Sequence, residues 1–272
     1  MRRGEESVSI AFGPPRLLRV SRTLRIAILL LVLAFVAMSL WAERTRIAQW
    51  DSPLWVAVYP INGAGTPAVD DYVRGLAAAD FEPIERYMQA QAHARDVALE
   101  RPVEMKLAPQ VDAMPPAPPR EGNMLQTILW SLHMRYWAWR HDTFDGPHEI
   151  RMFVVYHDPA RRKRLAHSLG LRKGFLGVVN GFGARRFDGR NNVVITHELL
   201  HTLGATDKYD PATGQPVPPA GYADPDRRPL LPQDRAEIMG ARIPVTPEKS
   251  RMPPSLAATV IGPVTAREIG WR

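Results

Sequence analysis

His197-Glu198-Leu199-Leu200-His201-Thr202-Leu203-Gly204-Ala205-Thr206-Asp207 is the stretch around which this 272-residue chain is organised. In a helix, residues i and i+4 project from one face, so His197 and His201 aim two imidazoles at one point. Two neutral imidazoles on one turn make a zinc grip, with Glu198 beside them as a general base. Gly204 lets the backbone leave the helix through a left-handed residue without steric cost. The chain then turns back and brings Asp207 as a third ligand. Three protein ligands and one open position are the pattern of a catalytic zinc site. The plainer alternative is an amphipathic helix carrying two incidental histidines.

Two further features narrow the reading. Asp207 is continued as Lys208-Tyr209-Asp210, and Glu237-Ile238-Met239-Gly240 follows downstream. The combined pattern resembles the metzincin peptidases, HExxHxxGxxH/D followed by a methionine turn. Its Asp-ended form is most similar to the snapalysin and immune-inhibitor-A types of bacterial peptidase. The resemblance covers residues 197–210 and the Met239 turn, a small part of the chain. It implies a Zn2+ cofactor held by His197, His201 and Asp207, a peptide or protein substrate, and a zinc-activated water for which Glu198 is the general base. It also implies an α/β (α+β) fold, with a twisted mixed sheet, an active-site helix and a loop-rich C-terminal part. Residues 236–242 would form the turn, with Met239 as its structural residue. Tyr209 is an accessory candidate, to orient the site or donate to an oxyanion. Metzincins that use a tyrosine often place it just after the methionine turn, where this chain has Gly240-Ala241-Arg242.

The N-terminus is of another kind. Residues 1–25 carry six arginines against Glu5 and Glu6, and an apolar run follows whose most polar residue is Ser39. With its flanks the run covers about 19 residues, or roughly 28 Å of helix, against a hydrocarbon core of about 30 Å. A basic cytoplasmic tail over 1–25, a transmembrane anchor over 26–42, a linker over 43–51 and a zinc peptidase-like domain over 52–272 follow. The arginines set the N-terminus inside and the domain beyond the inner membrane, with Trp41 at the far interface. A cleaved signal peptide is the rival, although Ala37-Met38-Ser39 makes a poor cleavage site.

Of the formal net charge of +7, the first 25 residues supply +4 and leave +3 for the rest. That thin spread gives no support for nucleic-acid binding. The chain has no cysteine, which excludes disulfides and thiolate zinc ligands. Nothing in the sequence specifies an oligomeric state.

Within the domain, residues 54–60 and 150–156 read as strands, 102–107 as an edge strand, and 175–179 as a further strand. In the metzincin pattern an edge strand above the metal receives substrate by strand pairing, and the resemblance makes the last of these the candidate for it, with an ordinary sheet strand as the alternative. Helices are predicted over 69–79, 84–99 and 124–140, the third mostly buried because its apolar surface is wide. Residues 115–119 form a stiff polyproline spacer. The motif helix is expected to start near Asn191-Asn192, which would cap it. Residues 209–232 should be ordered loop, and a short terminal helix should dock through Ile269 and Trp271. His93, His133, His141, His148, His157 and His167 read as structural or surface groups. Two other functions stay open: a zinc-stabilised scaffold without turnover, and a metal-dependent amidase acting on cell-wall peptide. An intact Glu198 favours an enzyme, because structure alone needs only the ligands.

Overall fold

The computed structural model describes residues 22–24, 26–27, 30–31, 34, 50–119, 123–165, 168–171 and 175–271. The chain divides into two units, Met1–Glu43 and Arg44–Arg272. In the first, the described residues are helical and exposed. Among the described residues no helix is long and apolar enough to cross a membrane. Most of the anchor read over 26–42 and nearly all of the linker over 43–51 lie outside them.

The second unit runs β1 (Leu54–Asn62), α1 (Pro67–Arg74), α2 (Glu82–His93), β2 (Val103–Leu107), α3 (Met124–Arg140), β3 (Ile150–His157), β4 (Leu169–Leu171), β5 (Leu176–Phe182) and α4 (Asp188–Leu203). Short elements close it: β6 (Ala236–Glu237), β7 (Ile243–Thr246), β8 (Lys249–Arg251), β9 (Thr259–Val260) and α5 (Pro263–Glu268). The main sheet has the order β2-β1-β3-β5-β4. Its first four strands are parallel, and β4 runs antiparallel to β5. This is a mixed α/β fold.

Both faces of the sheet are covered, which is why its central strands read as unbroken apolar runs. Along β1, Val56 and Val58 enter one core while Ala57, Tyr59 and Ile61 enter the other. That is the two-residue alternation of a strand. The first core holds α1, α2 and α4; the second is closed by Met134, Trp137 and Ala138 of α3. In α4, Val193, Ile195, Leu199, Leu200 and Leu203 are buried. Each contributes roughly 1.5–3 kcal/mol. The motif helix is therefore fixed by the core, whatever its histidines bind.

Several expectations are corrected. The strand over 175–179 is β5, and it is interior: β4 folds back along it and takes the edge. Asn191 and Asn192 do not cap α4, which starts at Asp188 after a 3-10 turn, Arg185–Phe187. Instead Asn191 accepts from the Phe182 amide at 3.0 Å and donates to its carbonyl at 2.9 Å, while Asn192 donates to the Asp80 carbonyl. Both amides tie the helix to its neighbours. The first helix stops early at Gly75, and the second ends at His93, just before Asp96 turns left-handed with φ 54°.

The tryptophan-rich α3 is not mostly buried. Leu125 is 63% exposed, Trp139 67% exposed, and Leu129, Leu132 and Tyr136 are exposed with them. The helix needs only the strip around Met134 and Trp137 to close its core. At the other boundary, Trp50 belongs to the folded unit and not to a free linker. It is buried, packs against the Trp271 ring with centroids 5.4 Å apart and planes tilted by 57°, and donates to the Ile269 carbonyl at 2.7 Å. The edge strand at β2 and the helix-free loop over 209–232 stand as expected. Residues 113–119 lack regular structure, and Pro116 accepts from the Trp130 indole.

Candidate metal centre

α4 places His197 and His201 one turn apart, and Gly204 ends it at φ 114°. The Ala205 amide returns to the Leu200 carbonyl at 2.9 Å, closing the helix as a left-handed cap does. The reversal brings three atoms together. His201 Nε2 lies 3.1 Å from His197 Nε2 and 3.1 Å from Asp207 Oδ1, and His197 Nε2 lies 3.2 Å from the same oxygen.

The outer ring nitrogens decide what those atoms are. His197 Nδ1 is 2.9 Å from the Ile238 carbonyl, and His201 Nδ1 is 2.9 Å from that of Ala205. A carbonyl only accepts, so each Nδ1 carries a proton, and each ring in its neutral form offers a lone pair at Nε2. Two lone pairs and a carboxylate oxygen then face one another. A proton can relieve one edge of this triangle at a time; a divalent cation relieves all three. Tetrahedral zinc with bonds of about 2.0–2.1 Å needs ligand atoms about 3.3 Å apart. The observed edges fit that size, and the donor set suits zinc. Among the described residues, His197, His201 and Asp207 form a group able to hold a metal ion.

The charges respond accordingly. Burial acts to lower the His197 pKa, but the hydrogen bond to Asp207 and the Glu198 charge outweigh it, and the pKa is raised. For Asp207 burial acts upward, yet the two histidines hold the carboxyl well below the usual range. Tyr209 stacks on His197 with ring centroids 6.4 Å apart. Burial, reinforced by Asp207, pushes its hydroxyl up to about 12, so it remains a donor at neutral pH. Glu198, 5% exposed, lines the same cleft of roughly 670 Å³ as His197.

Met239 is fully buried in the 3-10 turn Ile238–Gly240. Its neighbours show why the turn matters: the Ile238 carbonyl accepts from His197, and the Met239 carbonyl accepts from the Lys208 amide at 2.9 Å. The turn is thus bonded to the helix that carries His197 and His201 on one side and to the loop that carries Asp207 on the other. A side chain on Gly240 would put Cβ 2.5 Å from the Gly221 carbonyl oxygen, so this approach is open only to glycine.

Sequence reasoning missed the device that fixes Asp207. Lys208, its side chain only 4% exposed, donates to Glu268 at 2.7 Å and to the Thr206 carbonyl at 2.9 Å. Glu268 in turn accepts from the Thr206 amide and hydroxyl. Both neighbours of Asp207 are therefore fastened to α5. No local spacing announces a pair sixty residues apart. Burial pushes the Glu268 carboxyl up, but Lys208 and Thr206 more than reverse it. Its contribution to stability is present above the unfolded carboxylate value of about 4.3 and lost as acid protonates it. Glu268→Ala leaves a buried ammonium without its partner, which should cost about 3 kcal/mol. Urea denaturation at neutral pH measures it, and an unchanged midpoint would contradict this role.

Asp210 is engaged elsewhere, accepting from the Ala212 amide at 2.8 Å and the Thr213 hydroxyl at 3.1 Å. His157 bonds Asn180, His148 bonds Asp142 and His141 bonds the Trp137 carbonyl, each apart from the metal group. His167 lies outside the described residues. No protein-family model and no curated protein matches the chain.

Proposed function

We propose that this protein is a zinc-dependent peptidase of metzincin-like type, held at a membrane by its N-terminal segment. One observation carries the reading: three acceptor atoms converge within 3.1–3.2 Å, each imidazole fixed from behind by a carbonyl. When bound there, zinc supplies Lewis acidity beside a general base. Glu198 takes a proton from water and returns it to the departing amine. Tyr209 keeps its proton and can donate at the edge of the site. Asp207 supplies the charge that offsets the cation. Among the described residues β4 is the outer strand on the side of α4, and it replaces β5 as the place where an extended substrate would add as a strand.

The reading is tested with the full chain in detergent and an unfolded protein substrate. Cleavage should require zinc, stop on chelation and return when zinc is restored. Zinc-loaded protein that cleaves no member of a peptide library would overturn it in favour of a scaffold. The membrane part has a separate test. Full-length chain should sediment with membranes, whereas a chain shortened to begin just before Trp50 should be soluble and folded. Uncleaved full-length protein in the soluble fraction would remove the anchor.

A further inference from the structure

The cleft beside Glu198 has an unbalanced wall. Lys163, Arg164, Arg190 and Arg242 line it, and Glu198 is the one carboxylate among the described lining residues. All four cations are exposed at its rim. Among the described residues none of them is paired with a carboxylate: Arg190 lies over the Phe187 ring and Arg242 donates to Ser250. They also come from separate parts of the chain. Lys163 and Arg164 belong to the basic run 161–164, Arg190 to α4, and Arg242 to the segment after the Met239 turn. A concave surface lined by one sign of charge focuses the field and gathers ligands of the opposite sign.

We infer that this cleft selects peptide segments with acidic side chains, the carboxylates meeting the rim cations while the backbone lies across His197 and Glu198. The inference rests on the peptidase reading for its reaction, but the selection itself is a property of binding. A peptide is favoured over a nucleic acid by the apolar surface between the cations, from Phe182, Val194 and Met252. That lining suits aliphatic stems, and a single aromatic ring is no platform for successive bases.

The test uses full-length zinc-loaded Glu198→Gln protein, so that no probe is cut, and fluorescence anisotropy of labelled twelve-residue peptides. The peptides are identical and amidated except for three central residues, which are Glu, Gln or Lys. The Glu peptide should bind about 10-fold tighter than the Lys peptide at low salt, with the margin shrinking as screening increases. Arg190→Glu with Arg242→Glu should abolish or reverse the order, and Lys163→Glu with Arg164→Glu provides a second reversal should the first pair fold poorly. Arg74→Glu, on α1, should leave the order intact. A Gln peptide with a free C-terminal carboxylate binding as well as the Glu peptide would overturn the assignment to side chains. Equal binding of Glu and Lys peptides, a preference that survives both reversals, or displacement by a twelve-residue oligothymidylate at lower concentration would overturn the inference. Because binding is read without turnover, failure of the wild-type protein to cleave any peptide would sink the peptidase reading alone.

Discussion

Glu198→Gln should abolish peptide hydrolysis while leaving zinc in place. Glutamine keeps the shape of the side chain but cannot accept a proton, and loss of a general base typically costs about 10²–10⁴-fold in rate. Glu198 is not among the three converging groups, so metal content by elemental analysis should match the parent. It is also 5% exposed, lining a cleft beside His197, so the neutral replacement removes a charge without opening a cavity. The measurement pairs zinc stoichiometry with initial rates on one peptide. Equal rates for mutant and parent would take Glu198 out of the reaction. Loss of zinc with loss of rate would instead make it a structural partner of the site.

Asp207→Ala should have the larger effect on binding. The substitution removes one corner of the triangle and leaves two imidazoles, so zinc affinity should fall by more than the roughly 10–100-fold that loss of an outer partner costs. Asp210→Ala is the control. Its carboxylate is committed to Ala212 and Thr213, so affinity should stay within a few-fold of the parent and only the loop should loosen. Asp207→His should recover part of the loss, since imidazole offers one neutral donor. Chelator competition on the three variants separates these outcomes. Parent-like affinity in Asp207→Ala would move the third ligand elsewhere.

The helix that carries His197 and His201, and the reversal after it, were legible because their signals are local. A four-residue spacing sets one face, and Gly204 is needed where φ is 114°. The central strands were legible because burial on both faces leaves apolar runs. What failed was tertiary. Asn191 and Asn192 look like caps, yet their amides have backbone partners at Phe182 and Asp80, which the sequence does not bring near. The sheet edge leaves no signal in the sequence because β4 is three residues long, too short to show alternation. Leu125, Leu129 and Trp139 suggested burial, but apolar character records only a tolerance for burial, and the core closes with Met134 and Trp137. The Lys208–Glu268 pair and the cationic cleft depend on elements far apart in sequence. Neither leaves a motif.

The most direct test of the central claim is a crystal structure of the zinc-loaded protein with anomalous differences measured on both sides of the zinc edge. One peak is expected, bonded to His197 Nε2, His201 Nε2 and an Asp207 oxygen, with bonds of about 2.0–2.2 Å and the fourth position open toward Glu198. No peak at this triangle, or a fourth protein ligand closing the site, would contradict it.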